Sequence, residues 1–151
     1  GRAFTQALVG YVHAISHQLG ACYGIPHGLG NAIILPKVLA FSQGPARSRL
    51  ARLALETGLG EDGQSEAELA QAFVDHIIEL NRHLGIPESI PELRDEDIPA
   101  IARGATREAL LNYAVPRHMS RRDCEQLLQS LQGQAATEES PELEVELKQA
   151  A

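Results

Sequence analysis

Residues 10–36 read GYVHAISHQLGACYGIPHGLGNAIILP, and the spacing of their apolar residues and histidines decides how the chain folds. Phe4, Leu8, Tyr11, Val12, Ile15 and Leu19 recur at intervals of three and four, which predicts a helix from Phe4 to Leu19 with one apolar stripe. His13 and His17 stand four apart on an adjoining stripe, one turn above each other, and can address one small target. Gly20, Gly24 and Pro26 turn the backbone, and His27 follows on a second element. A transition metal held by imidazoles needs at least three protein ligands, with one further position open if the site is catalytic. Neutral imidazole suits zinc and ferrous iron, and a carboxylate commonly joins histidines around reactive iron. The stretch from Arg2 to Ser42 holds no Asp or Glu, so the segment reads as part of a metal site. Taken singly, each histidine reads more often as a hydrogen-bonded core residue than as a ligand.

Helical periodicity continues down the chain. A second helix begins near Gly28, after Pro26, and runs to Phe41, with Pro36 expected to kink or break it because proline removes a backbone donor. Ala32 to Leu35 also fits a short buried strand by periodicity, and length favours helix. Pro45 to Thr57 reads as a separate helix ended by Gly58, Gly60 and Gly63. Ser65 and Glu68 form a capping box for a helix from Glu66 to Leu84, with an expected stripe of Leu69, Phe73, Ile77 and Leu80 or Leu84. His76 and His83 on this helix read as solvated or packing residues. Asp95 to Asp97 opens a helix over Ile98 to Ala105, Arg107 to Leu111 a short further turn, and Ser120 caps Arg121 to Leu131. His118 falls in the loop before that cap.

At this point the quoted segment resembles the signature of the iron-containing alcohol dehydrogenases, GxxHAxxHxLGxxxxxPHGxxNAxxLP, at Gly10, His13, Ala14, His17, Leu19, Gly20, Pro26, His27, Gly28, Asn31, Ala32, Leu35 and Pro36. LGIPESIPELRDEDIPAIARGA, residues 84–105, looks like the family's loop leading to an acidic N-cap. NYAVPRHMSRRDCEQLL, residues 112–128, is similar to its NPRxxTxxDxxxLL ending through Pro116, Arg117, Ser120, Asp123, Leu127 and Leu128. The likeness covers about residues 2–131. Ser42 stands where the family often has Asn, and nothing after Gly133 resembles it.

The resemblance implies an all-α, bundle-like domain over residues 1–132, the C-terminal metal-binding half of a two-domain, dehydroquinate synthase-like alcohol dehydrogenase, followed by an acidic flexible tail over 133–151. It implies hydride transfer between NAD or NADP and a small alcohol or aldehyde, with Fe2+ or Zn2+ polarising the substrate oxygen. Family members hold the metal with one Asp and three His. Carried over, His13 and His27 are two of those ligands, while His17 stands beside the metal and relays the substrate proton. Asn31 offers its amide to cofactor or substrate, or else bridges a turn. The remaining Asp and His, and the nucleotide-binding domain, have no counterpart in this sequence. The chain is therefore expected to be inactive by itself and to need a nucleotide-binding domain as partner. A maleylacetate reductase or hydroxyacid transhydrogenase relative is the neighbouring expectation. The alternative of another class is a non-catalytic helical packing or oligomerisation fragment.

Composition sets outer bounds. With 151 residues the chain has room for one core and none for a dinucleotide-binding domain besides. A net charge of -7 argues against nucleic acid, whose phosphates require basic patches. The lack of a long apolar run or a signal-like start predicts a soluble, cytoplasmic protein. The two cysteines, Cys22 and Cys124, are not patterned as a disulfide framework, and Cys22 reads as a small buried hydrophobe. The Gly1 start, without an initiator Met and close to an apolar helix, reads as a cut through a longer protein with homo-oligomer contacts open to it.

Overall fold

The computed structural model describes residues 9–61 and 63–133. Among these, five helices and no strand are present: α1 (Tyr11–Tyr23), α2 (His27–Glu56), α3 (Glu66–His83), α4 (Ile98–Asn112) and α5 (Arg121–Gln129). The all-α expectation is met, and the strand alternative for Ala32 to Leu35 is not. The expected helical residues Phe4 and Leu8, and the tail from 134, lie outside the described residues.

Helix α1 is the central element. Of its expected stripe, Tyr11, Ile15 and Leu19 are buried and Val12 partly so, together with Ile34 and Val38 of α2, Ile101 and Ala105 of α4, and Cys124 and Leu128 of α5. Such a shared apolar core supplies most of the stability of short helices, whose isolated turns are marginal in water. Helices α2 and α3 form an antiparallel pair: Ala51 and Ala54 share a small core with Leu69, and Ala46 and Leu50 share another with Ala70 and Val74 one turn further along α3. Ser65 caps α3 and Ser120 caps α5, each by a reciprocal box with Glu68 or Asp123.

Four expectations are corrected. The segments 28–41 and 45–57 are one continuous helix of 30 residues, with Pro36 and Pro45 inside it. Each proline deprives the carbonyl four residues earlier of its helical donor. Both carbonyls are served from elsewhere: Asn81 Nδ2 of α3 donates to Ala32 O at 2.7 Å, and Arg117 Nη1 donates to Phe41 O at 3.0 Å. Arg117 also lies over the Phe41 ring, 4.1 Å from its centroid. Second, α4 does not stop at Ala105 but runs to Asn112, absorbing the expected separate turn. Gly104 on this helix faces α1, where a Cβ would fall 2.4 Å from the end of the Gln18 side chain. Third, the buried face of α3 is Leu69, Ala70 and Val74 with Phe73 against it, while Leu80 and Leu84 are exposed. Fourth, Cys22 is exposed; of the two thiols only Cys124 is buried.

Candidate metal centre

The turn after α1 brings the three histidines together. Gly24 adopts φ 67°, a left-handed conformation that glycine takes at little cost, and its N–H closes α1 on Gly20 O. Pro26 then leads into α2. Helices α1 and α2 touch at Gly30, where a Cβ would fall 2.6 Å from Ser16 Oγ, and Ser16 Oγ donates to His27 O at 3.3 Å. That close approach sets His13 and His17 of one helix against His27 and Asn31 of the next.

Ring centroids lie 5.1 Å apart for His13 and His27, 5.2 Å for His17 and His27, and 6.0 Å for His13 and His17. The Nε2 atoms of His13 and His27 converge on one atom, Asn31 Nδ2, at 3.5 and 3.1 Å. An amide nitrogen is a donor only, so both Nε2 atoms present lone pairs to it. Asn31 Oδ1 is buried without a hydrogen-bond partner among the described residues. The His13 imidazolium is disfavoured, first by burial and then by the neighbouring His27 and His17 charges, so its pKa falls below the ordinary value. Two imidazole nitrogens aimed at one point fit two ligands of a divalent ion.

His17 differs. Its Nδ1 meets Glu108 Oε1 of α4 at 2.7 Å, and its ring stacks on His27 at an interplanar angle of 17°. Glu108 Oε1 also accepts from Tyr113 OH at 2.8 Å, and Oε2 from Gln18 Nε2 at 3.4 Å. Burial and then the Glu108 carboxylate push the Tyr113 phenol upward, so it remains a donor. Among the described residues no set of three or more His, Cys, Asp or Glu side chains is arranged to hold a metal ion. His13 and His27, the expected ligand pair, stand side by side, short of the three protein donors that a metal site needs. Glu108 escaped that analysis because it lies 91 residues from His17. The signal within reach was the small residue Gly104, one turn before Glu108, which marks a face that another helix approaches.

Beside His13 and Asn31 opens an apolar groove of about 510 Å³, lined among others by Val12, Leu35, Val38 and Val115. His17 and His27 are exposed, so this face of α1 and α2 is open to solvent. His76 and His118 are also exposed, apart from the cluster, and His83 Nδ1 bonds Glu79 O at 2.9 Å; all three are outside the site, as expected. No described helix is long and apolar enough to cross a membrane.

The profile of the Fe-containing alcohol dehydrogenase family, C-terminal, matches residues 1–132. Lactaldehyde reductase of Escherichia coli (strain K12) is 39% identical over 110 residues, covering 70% of this chain and 28% of that protein. Alcohol dehydrogenase 4 of Saccharomyces cerevisiae (strain ATCC 204508 / S288c) is 41% identical over 113 residues, with 72% and 28% covered. The solved alcohol dehydrogenase from Oenococcus oeni superposes with a TM-score of 0.77 at 32% identity, covering 85% of this chain and 34% of that one. The chain thus spans 28% of the length of these two curated relatives.

Proposed function

The chain belongs to the Fe-containing alcohol dehydrogenase family, and on that premise we propose that it is the metal-binding helical domain of an NAD(P)-dependent enzyme interconverting alcohols with aldehydes or ketones. The observation that carries the proposal is the convergence of His13 Nε2 and His27 Nε2 on Asn31 Nδ2. His13 and His27 would hold Fe2+ or Zn2+, with the other donors supplied by a segment outside this chain. When bound, the ion acts as a Lewis acid toward the substrate oxygen, while the hydride chemistry is the nicotinamide's.

The chain's own residues have distinct tasks in this scheme. Asn31 Nδ2 selects the tautomer in which His13 and His27 keep bare Nε2 atoms, the form a metal takes. His17, exposed beside them, takes the hydroxyl proton and passes it to solvent. The apolar groove next to His13 and Asn31 shelters the carbon skeleton of a small alcohol from water. Residues 1–132 act as the helical half, and a nucleotide-binding domain outside this chain is the partner that completes the site.

The test joins this chain to such a domain and measures alcohol-dependent reduction of NAD and NADP together with bound metal. Alanine at His13 or His27 is expected to abolish both. Full activity and full metal content in His27→Ala would end the ligand assignment. An assembly that neither binds metal nor turns over, although folded, would favour a packing module instead.

A further inference from the structure

The carboxylate of Glu108 is the one acidic group against the histidine cluster among the contacts described above, and it reaches there from α4. Its position is over-determined. Oε1 accepts from both His17 and Tyr113, Oε2 from Gln18, and the side chain is only 22% exposed. The helix that carries it is held against α1 one turn earlier, where Gly104 packs on the Gln18 side chain and Ala105 is fully buried. A surface ion pair between mobile side chains has no such framework. A carboxylate on one ring nitrogen of histidine fixes the tautomer and the ring plane, and so decides what the other nitrogen can do.

We propose that Glu108 is a positioning residue for His17: by accepting the Nδ1 proton it keeps Nε2 bare and holds the ring stacked on His27, ready to receive a substrate proton. Tyr113 and Gln18 hold the carboxylate in turn. The proton balance is simple, because His17 Nε2 gains the hydroxyl proton while Nδ1 keeps its own, shared with Glu108. This inference rests on the reading of His17 as proton relay.

Two measurements test it. In this chain with 15N-labelled histidine, the neutral His17 ring is expected to show a protonated Nδ1 and a bare Nε2. Glu108→Ala should shift it toward the Nε2-protonated form that free imidazole prefers. Glu108→Gln, which keeps the volume and a neutral acceptor, should fall between and serves where the alanine variant does not fold. In the chain joined to its nucleotide-binding domain, Glu108→Ala should lower kcat by about tenfold or more while leaving KM for the alcohol within about twofold. A parent chain with Nε2 protonated, a tautomer unchanged in both variants, or an unchanged kcat where His17→Ala is inactive would overturn the proposal. Unchanged turnover in His17→Ala itself refutes the relay reading instead, and the tautomer result then still stands for or against the Glu108–His17 contact.

Discussion

Removing the Asn81 amide should destabilise the protein only as long as Pro36 is a proline. Pro36 has no N–H for Ala32 O, and Asn81 Nδ2 replaces it at 2.7 Å. A neutral hydrogen bond is worth roughly 1 kcal/mol net, and a fully buried carbonyl left without a donor costs up to about 3 kcal/mol. Ala32 is half-buried, so water reaches it in part, and Asn81→Ala is expected to cost about 1–2 kcal/mol. For a chain of this length that lowers the unfolding midpoint by roughly 2–8 °C. Pro36→Ala restores the helical donor to the same carbonyl. In that background Asn81→Ala should cost less than about 0.5 kcal/mol, giving a coupling of about 0.5–2 kcal/mol. Thermal and urea unfolding of the four proteins, followed by circular dichroism, measures the cycle. An equal cost in both backgrounds would show that the amide does not substitute for the missing N–H, and the account of the uninterrupted α2 would fail.

Further outcomes follow from other contacts. Gly30→Ala gains about 1 kcal/mol of helix propensity but drives a methyl into Ser16 Oγ, an overlap expected to cost about 1–3 kcal/mol; it should destabilise alone and turn neutral or stabilising with Ser16→Ala, as unfolding midpoints will tell. Cys22 should react with iodoacetamide in the native protein. Cys124, buried and with its thiol pushed up to about 12, should react only on unfolding, as read by mass spectrometry. Asp97 is held below the ordinary carboxylate value, first by the Tyr23 hydroxyl and then by Arg94, so its contribution is complete above its unfolded value of about 3.9 and is lost as pH falls through the lower native one. Tyr23→Phe should therefore flatten the acid limb of the urea midpoint, and an acid limb as steep as the parent's would contradict the assignment.

Local signals were legible without coordinates because they act over one or two turns. Both serines expected as helix caps serve as caps, with the box at Ser65 and Glu68 foreseen, and the apolar stripe of Tyr11, Ile15 and Leu19 is the buried one. Histidines four apart share a helix face, and a Gly–x–Pro turn brings the next element back. This is why His13, His17 and His27 could be grouped from their spacing. The face of α3 was misjudged toward its end: Leu80 and Leu84 continue the helical period but are exposed, and the side that meets α2 runs instead through Val74, Ile78 and Asn81.

The sequence alone determined which segments coil, where they are capped and which imidazoles share a neighbourhood, because these follow from backbone geometry within a few residues. Only the tertiary structure decided that two prolines sit inside one helix, that Glu108 rather than a nearby acid meets His17, and that Cys22 faces solvent. The first two depend on groups far along the chain: Asn81 and Arg117 supply the donors that proline withholds, and α4 brings Glu108 to His17. A hydrogen-bond deficit can be read from a sequence. The partner that fills it is known only once the helices have packed.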